Sequence, residues 1–369
     1  MTASDERAIR GTLAGARRLV VKIGSNPIAR QGPAMFDRLA ADVHAARNGR
    51  KGRRVTLVSS GAIALGVAHL RLKSRPREMA GLQAAAATGQ SLLMQRYGDA
   101  FGVHGLAVAQ VLLSHADLAS RTRANNAREA LTKLLELGVV PIVNENDAVA
   151  TDEIRFGDND ELAAMVSPLI EADLLVLLSD VEGLLDREGQ RVSFVPRVDD
   201  EVHGLVKRAK AGAGRGGMQS KLEAARRATL GGAHVVIAWA GDERVLERIL
   251  AGEALGTLFP AMPQRLRTRK HWIAFTLRPR GAAIVDAGAA QAIQHGGRSV
   301  LCVGVVGVRG SFVGGDPISI ITTEGHEIAR GLSRLSSTDA ARMAGASDDE
   351  GSELLVHRDD LVVLEVASG

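Results

Sequence analysis

Short aliphatic runs alternate with Ala-rich helical stretches along most of this chain, and that alternation restricts the possible folds more than any other feature. RRLVVKIGS (17–25), Leu106–Leu112, Val139–Val143, LLVLLSD (174–180) and AHVVIAW (233–239) read as strands. RRVTLVSSGAIALG (53–66) switches from β-branched residues to a helical pattern at Ser59-Ser60-Gly61. Helical patterns cover Met35–Arg47, roughly 78–101, Arg123–Leu137, Asn159–Glu171, KLEAARRATLGG and Glu243–Leu250. Gly138 stands where a C-terminal glycine commonly ends a helix, and Gly256–Phe259 can supply a last strand. Strands buried on both faces read as unbroken apolar runs rather than as alternations. A β-α-β-α order predicts an α/β fold: an open, mainly parallel sheet sandwiched by helices, with right-handed crossovers. Aromatic residues make up only 3% of the 369, so the core is expected to be Ala, Val, Leu and Ile.

The pattern changes after MPQRLRTRK (262–270), which is basic and contains proline. Beyond it WIAFTL, SVLCVGVVGV, GSFVGGDPISII, HEIARGL and ELLVHRDDLVVLEV are short, Gly-punctuated and closely spaced, too tight for β-α-β units. The division expected is a flexible start at 1–15, an α/β domain at 16–262, a linker at 263–270 and a small β-rich, barrel-like domain at 271–369. One cysteine, Cys302, cannot form an internal disulfide. With no signal-peptide pattern and no long apolar stretch, a cytoplasmic address without membrane contact is expected. Net charge is a modest +4, and basic clusters at Arg47–Arg54 and Arg265–Lys270 read first as solvated loops and second as nucleic-acid contacts.

Candidate chemistry gathers in Pro141–Leu162, PIVNENDAVATDEIRFGDNDEL. An apolar strand enters it, and the density of Asn, Asp and Glu that follows suits neither a core nor a helix. Polar groups at the carboxyl end of a parallel strand face the ligand crevice of open α/β sheets. Lys22 is the second signal: an ammonium inside VVKIG either reaches a ligand at the strand end or points to solvent, because burying it unpaired is costly. GAGRGGMQSK (212–221) fits neither the dinucleotide fingerprint, which needs a preceding strand, nor the P-loop. It reads either as a solvent loop or as a phosphate-binding loop ending in Lys221 at a helix start. Ser60 offers a hydroxyl at a strand-to-helix turn, as a helix cap or a carboxylate ligand. Ser179-Asp180 either meets a nucleotide or caps a turn. No histidine motif places a base beside a hydroxyl, which argues against a hydrolase. No metal-ligand spacing appears among the histidines and the lone cysteine.

Taken together, Lys22 in VVKIGS, SSGAIALG, VNENDAVATDEIRFGDNDEL, LLVLLSDVEGLLD and GRGGMQSK resemble glutamate 5-kinase in order and spacing. That family has the amino-acid kinase fold, and the segments TLRPRGAAIVDAGA, GVVGVRGSF, EIARGLSRLSS and VHRDDLVVL look like its C-terminal PUA domain. The resemblance implies ATP-dependent phosphorylation of the L-glutamate side chain to L-glutamyl 5-phosphate, the first step of proline biosynthesis, with Mg2+ accompanying ATP. It implies that Lys22 and Lys221 stabilise the transferring phosphoryl group and that Asp160 orients them. It makes Ser60, Asn144, Asp147 and Asn159 glutamate contacts, and Lys22, Gly24, Ser179, Asp180, Arg215, Gly216, Gly217, Met218, Gln219, Ser220 and Lys221 nucleotide contacts. Proline as feedback inhibitor, glutamyl-phosphate reductase as pathway partner and a homo-oligomeric assembly follow from it too. Asn26, Arg215 and Gln219 depart from the small hydroxyl residues common at those places, which bears on nucleotide affinity. The alternatives are a related substrate such as N-acetylglutamate, or an RNA-binding protein acting through the PUA-like domain. Few aromatic residues are available there to stack bases.

Overall fold

The structure is a computed structural model that describes residues 3–50, 52–149, 159–206, 217–263, 266–346 and 353–364. It divides into two units, Met1–Arg265 and Leu266–Gly369.

In the first unit, helix α1 (Ala3–Thr12) precedes strand β1 (Arg18–Ile23). Helices α2 (Ser25–Gln31) and α3 (Pro33–Asn48) lead to β2 (Arg54–Ser59), and α4 (Ala62–His69) and α5 (Met79–Gly102) lead to β3 (Val108–Leu113). Helices α6 (His115–Ala119) and α7 (Arg121–Glu136) then deliver β4 (Val140–Glu145). After α8 (Asn159–Leu169) come β5 (Leu174–Ser179), α9 (Asp200–Val206), α10 (Met218–Leu230), β6 (His234–Trp239), α11 (Val245–Leu250) and β7 (Thr257–Phe259).

The seven strands form one sheet in the order β3-β4-β2-β1-β5-β6-β7. All neighbours are parallel except β7, which runs antiparallel on β6. The chain crosses from β1 to β2 on one side and returns to β5 on the other. The carboxyl end of β1 is therefore the switch point, where an open sheet leaves a crevice. Register puts Lys22 beside Val58 and Leu177, one residue short of the end of β2 and two short of the end of β5. Burial follows from the sequence: every residue of LLVLLS in β5 is buried, whereas edge strand β3 has only Leu113 buried. Two aliphatic cores, one on each face, hold the sheet.

The N-terminal segment, expected to be a flexible start, instead forms α1. Arg10 is the reason: its guanidinium donates to the carbonyls of Glu253, Leu255 and Ser193, and its Nε donates to Glu6. The segment near 191–198, hairpin-like in the sequence, makes only isolated bridges, Leu185 to Arg191 and Phe194 to Leu258.

In the second unit, WIAFTL differs from the strand expected of it. A short helix α12 (Thr268–His271) runs into a π-helical turn at Trp272–Thr276, where four successive residues, Ile273 to Thr276, are buried. A short apolar run that is mostly buried fits a helical turn and a strand equally. Strands β8 (Gly281–Val285), β9 (Val300–Leu301), β10 (Val305–Gly310), β11 (Pro317–Thr322), β12 (Glu327–Leu332), β13 (Leu354–Val356) and β14 (Leu361–Val363) follow, with helices α13 (Ala287–Gly296) and α14 (Ser337–Arg342) between them. Five pair in the order β10-β8-β11-β12-β14, and β13 pairs with β9. Cys302 lies buried in this unit's core with Phe312, Ile318 and Leu355.

Helices α4 and α5 cross unusually closely. A Cβ on Gly89 would lie 1.8 Å from the Ala62 carbonyl oxygen, and one on Gly66 would lie 1.8 Å from that of Ala85. The pair of glycines lets backbone meet backbone and sets Gln90, the next residue of α5, against the sheet. An alanine in place of a helical glycine ordinarily stabilises by about 1 kcal/mol. Here Gly89→Ala is expected to destabilise by about 1–3 kcal/mol, because the added methyl has no room. Urea unfolding measures this, and an unchanged or raised midpoint would contradict the close crossing.

Candidate active site

Polar residues stand at or near the carboxyl ends of the switch-point strands: Lys22 in β1, Ser59 in β2 and Ser179 in β5. At the end of β1, Lys22 is 4% exposed and cannot reach bulk water. Its Nζ lies 2.5 Å from Asp160 Oδ1. Asp160 is fully buried in the first turn of α8, where the helix N-terminus favours a carboxylate. Its other oxygen, Oδ2, lies 3.0 Å from Lys221 Nζ and accepts from Ser220 Oγ, also at 3.0 Å. One carboxylate thus gathers two lysines that are far apart in the chain. Burial alone would raise the Asp160 pKa, but Lys22 and Lys221 overcome it and hold the group below the ordinary carboxylate range.

Lys221 owes its place to α10, which begins at Met218 with Gly217 as its cap. Met218 packs toward the apolar core behind α10, Gln219 is exposed, and Ser220 also donates to the Gly217 carbonyl at 2.9 Å. Arg215 and Gly216, the other expected nucleotide contacts of this loop, lie outside the described residues, as does 150–158 of the Pro141–Leu162 stretch. At the end of β5, Ser179 is buried and donates to Asp180 at 3.2 Å. Asn26 donates to Asp180 at 3.0 Å, tying the start of α2 to the end of β5. Burial works against the charge of Asp180, and the bonds from Asn26 and Ser179 with the nearby Lys221 hold its pKa down. Gly24 sits between them: a Cβ there would come within 3.8 Å of Lys22 Nζ.

The residues expected to hold an amino acid form a second cluster on the β2 and β4 side. Asn159 Nδ2 contacts three oxygens: the Ser59 carbonyl at 2.8 Å, Ser60 Oγ at 2.9 Å and Asn144 Oδ1 at 2.9 Å. Ser60 Oγ, as acceptor, is left with its own hydrogen to donate. Asn159 Oδ1 is buried without a partner among the described residues. A hydroxyl donor and a carbonyl acceptor side by side suit a ligand carrying both a carboxylate and an ammonium. Asp147 is half-buried beyond them, and burial pushes its pKa up to about 6 although Arg75 pulls the other way. A cleft of about 290 Å3 opens here, with Asp147, Gln90, Gln110, Ala62, Ala86 and Leu112 among its lining.

Sequence reasoning missed what stands behind this cluster. Gln90 accepts from Asn144 Nδ2 at 2.9 Å and donates to Gln110 Oε1 at 3.1 Å. Tyr97, fully buried, donates to Ser59 Oγ at 2.7 Å. Both lie on α5, whose Ala- and Gln-rich sequence carries no motif, and Gln90 follows directly on the glycine of the close crossing.

The model of the amino acid kinase family matches residues 17–238, and that of the PUA domain matches residues 281–351. The chain is 45% identical to the glutamate 5-kinase of Nitrosomonas eutropha over 96% of its own length and 100% of the relative's. The glutamate 5-kinase of Pseudomonas entomophila matches at the same identity and coverage, and that of Myxococcus xanthus at 45% over 96% of this chain and 98% of its own. Among solved structures, N-acetylglutamate synthase from Neisseria gonorrhoeae, complexed with coenzyme A and N-acetyl-glutamate, aligns with a TM-score of 0.51 at 16% identity. It covers 71% of this chain and 64% of that one, a likeness of fold alone.

Removing the shared carboxylate tests how the two lysines are held. Asp160→Asn keeps the shape and is expected to cost about 3–5 kcal/mol of stability in denaturant unfolding, as breaking a buried ion pair does. Because the folded-state pKa of Asp160 is lowered, its contribution is present above the ordinary carboxylate range and lost as pH falls through the folded value. The variant should therefore lose less stability than the native chain on acidification. Equal stability of the two at neutral pH would mean that the lysines do not depend on this group. By its sequence and its domain models, the chain belongs to the glutamate 5-kinases of the amino acid kinase family and carries a C-terminal PUA domain.

Proposed function

We infer that the chain transfers the γ-phosphoryl group of ATP to the side-chain carboxylate of L-glutamate, yielding ADP and L-glutamyl 5-phosphate, the first step of proline biosynthesis. The observation that carries this reading is the joining of Lys22 and Lys221 through Asp160 at the switch point, beside the Ser60–Asn159 cluster. The acceptor carboxylate has an ordinary pKa of about 4.3, so it is ionised at neutral pH and needs no general base. One of its oxygens forms the new bond to phosphorus, the bond to the β-phosphate oxygen breaks, and that electron pair leaves on ADP. No proton moves. What remains is alignment and neutralisation of charge spread over the transferring oxygens, the work of positioned cations.

In this reading Lys22 and Lys221 contact the transferring group and Asp160 aims them. Gly24, Ser179, Asp180 and the stretch from Arg215 to Lys221 hold the nucleotide. Mg2+ bound with ATP would supply neutralisation of phosphate charge. Asp180, held ionised, is a hard oxygen donor that fits such a cation. Ser60, Asn144 and Asn159 hold the amino acid, and Asp147 pairs with its ammonium. N-acetylglutamate has no such charge, and Asp147 disfavours it. Proline as an inhibitor near the glutamate site, a reductase that consumes the unstable acyl phosphate, a homo-oligomer and a cytoplasmic location belong to the same proposal. No helix among the described residues is long and apolar enough to cross a membrane. The domain division at 16–262, 263–270 and 271–369 is supported by the separation of the units at Arg265 and Leu266.

RNA binding through the basic linker finds less support. Arg269 lies 2.5 Å from Asp360, and Lys270 donates to the Arg358 carbonyl at 3.2 Å, so both are engaged within their own unit. Arg265 lies outside the described residues.

Glutamate-dependent ADP release, with hydroxylamine trapping of the acyl phosphate, tests the reaction; ADP release indifferent to glutamate would overturn it. The pH dependence tests Asp147. With its pKa near 6, the ammonium partner is lost as pH falls, so KM for glutamate should climb below about pH 6 while that for ATP does not. Asp147→Asn should raise the glutamate KM by about 10-fold or more at pH 8, in line with loss of a charged hydrogen bond of roughly 1.5–3 kcal/mol, and should flatten this profile. An unaltered KM and profile would remove Asp147 from the site.

A further inference from the structure

The side-chain amides behind the substrate cluster form a chain whose direction is fixed at two points by backbone. Asn144 Oδ1 accepts from the Glu145 amide at 2.9 Å, and a backbone N–H cannot act as acceptor. Asn159 Nδ2 donates to the Ser59 carbonyl at 2.8 Å, and a carbonyl cannot act as donor. These anchors settle which end of each amide is oxygen and which is nitrogen, a choice that density or shape alone leaves open. Asn144 must then turn its Nδ2 away from Asn159, and the acceptor that meets it is Gln90 Oε1. Gln90 itself is 9% exposed. Its own nitrogen is directed to Gln110 Oε1, on the edge strand β3.

We propose that Gln90 is a positioning residue for the amino-acid substrate. By accepting from Asn144 it holds the Asn144 amide in the one orientation that receives Asn159. Asn159 is thereby held with Nδ2 on Ser60 and its Oδ1 buried without a partner among the described residues. Without the Gln90 oxygen, Asn144 Nδ2 is left buried and unsatisfied. The amide gains by rotating toward another acceptor, and the hold on Asn159 and Ser60 loosens. The close crossing of α4 and α5 at Gly66 and Gly89 gives Gln90 its fixed place beside the sheet. The proposal rests on the reading of Ser60, Asn144 and Asn159 as the glutamate contacts.

Gln90→Met keeps the length of the side chain and removes both its hydrogen bonds. It is expected to raise the glutamate KM about tenfold, with the ATP KM within about twofold and a modest fall in the thermal unfolding midpoint from the buried amide left unsatisfied. Gln90→Leu is the second variant should the first fold poorly. A merely structural role would disturb both substrates alike, which would overturn the proposal. Asn144→Ala closes the cycle. Since Gln90 acts through Asn144, Gln90→Met should add no more than about twofold in the Asn144→Ala background, measured as glutamate affinity by calorimetry where turnover is too slow. A full, additive effect there would show that Gln90 acts otherwise and would overturn the proposal. If Asn144→Ala raises the glutamate KM and Gln90→Met does not, the proposal fails while the site reading stands. If Asn144→Ala leaves glutamate affinity unchanged, the site reading itself fails.

Discussion

One buried carboxylate organises the cationic side of this molecule. Asp160 receives Lys22 from the central strand and Lys221 from a helix about two hundred residues later, and its two oxygens fix both ammonium groups in the crevice. A lysine in such a place is costly unless a partner holds it, and the cost is lowest when both partners are rigid. Each element delivering these groups is rigid. β1 is the middle strand of seven, while α8 and α10 pack against one another and against the sheet. The arrangement needs no base and no nucleophile from the protein. It suits a reaction in which an anion that is already ionised receives a phosphoryl group.

The sheet topology determines what can stand around that centre. Since β2 lies on one side of β1 and β5 on the other, their ends present different surfaces to the two halves of the crevice. On the β5 side, Ser179, Asp180 and Asn26 form a polar edge beside the lysines. On the β2 side, Ser60 and the amides of Asn144 and Asn159 form a hydrogen-bonded cluster backed by α5. Asn159 and Asp160 are successive residues of one helix. One faces the Ser60–Asn144 cluster and the other the lysines, so α8 fixes the distance between the two groups, the acceptor and donor halves of the proposed reaction.

Much of this was legible in the sequence because the relevant physics is local. Unbroken aliphatic runs marked the parallel strands, and a lysine within such a run marked the crevice, since it has few other uses. The polar stretch after β4 pointed to the strand end where Asn144, Asn159 and Asp160 stand together. What stayed hidden depends on contacts distant in the chain. Gln90 and Tyr97 lie in an Ala-rich helix with no motif, and only the close approach of α4 and α5 brings them to the strand ends. The order of α1 depends on carbonyls of Ser193, Glu253 and Leu255, which no reading of residues 1–15 can supply. WIAFTL was misread because a short apolar run has no decisive period.

The central claim is that Lys22 and Lys221 act on the phosphoryl group in flight rather than on the binding of either substrate. Its most direct measurement is the rate of the transfer step in a single turnover at saturating ATP and glutamate, compared between the native chain, Lys22→Met and Lys221→Met. Each variant is expected to lose about 10²-fold or more in that step, the scale of removing one charge-stabilising group, with both dissociation constants within about threefold. An unchanged transfer step, with the loss confined to the dissociation constants, would contradict it.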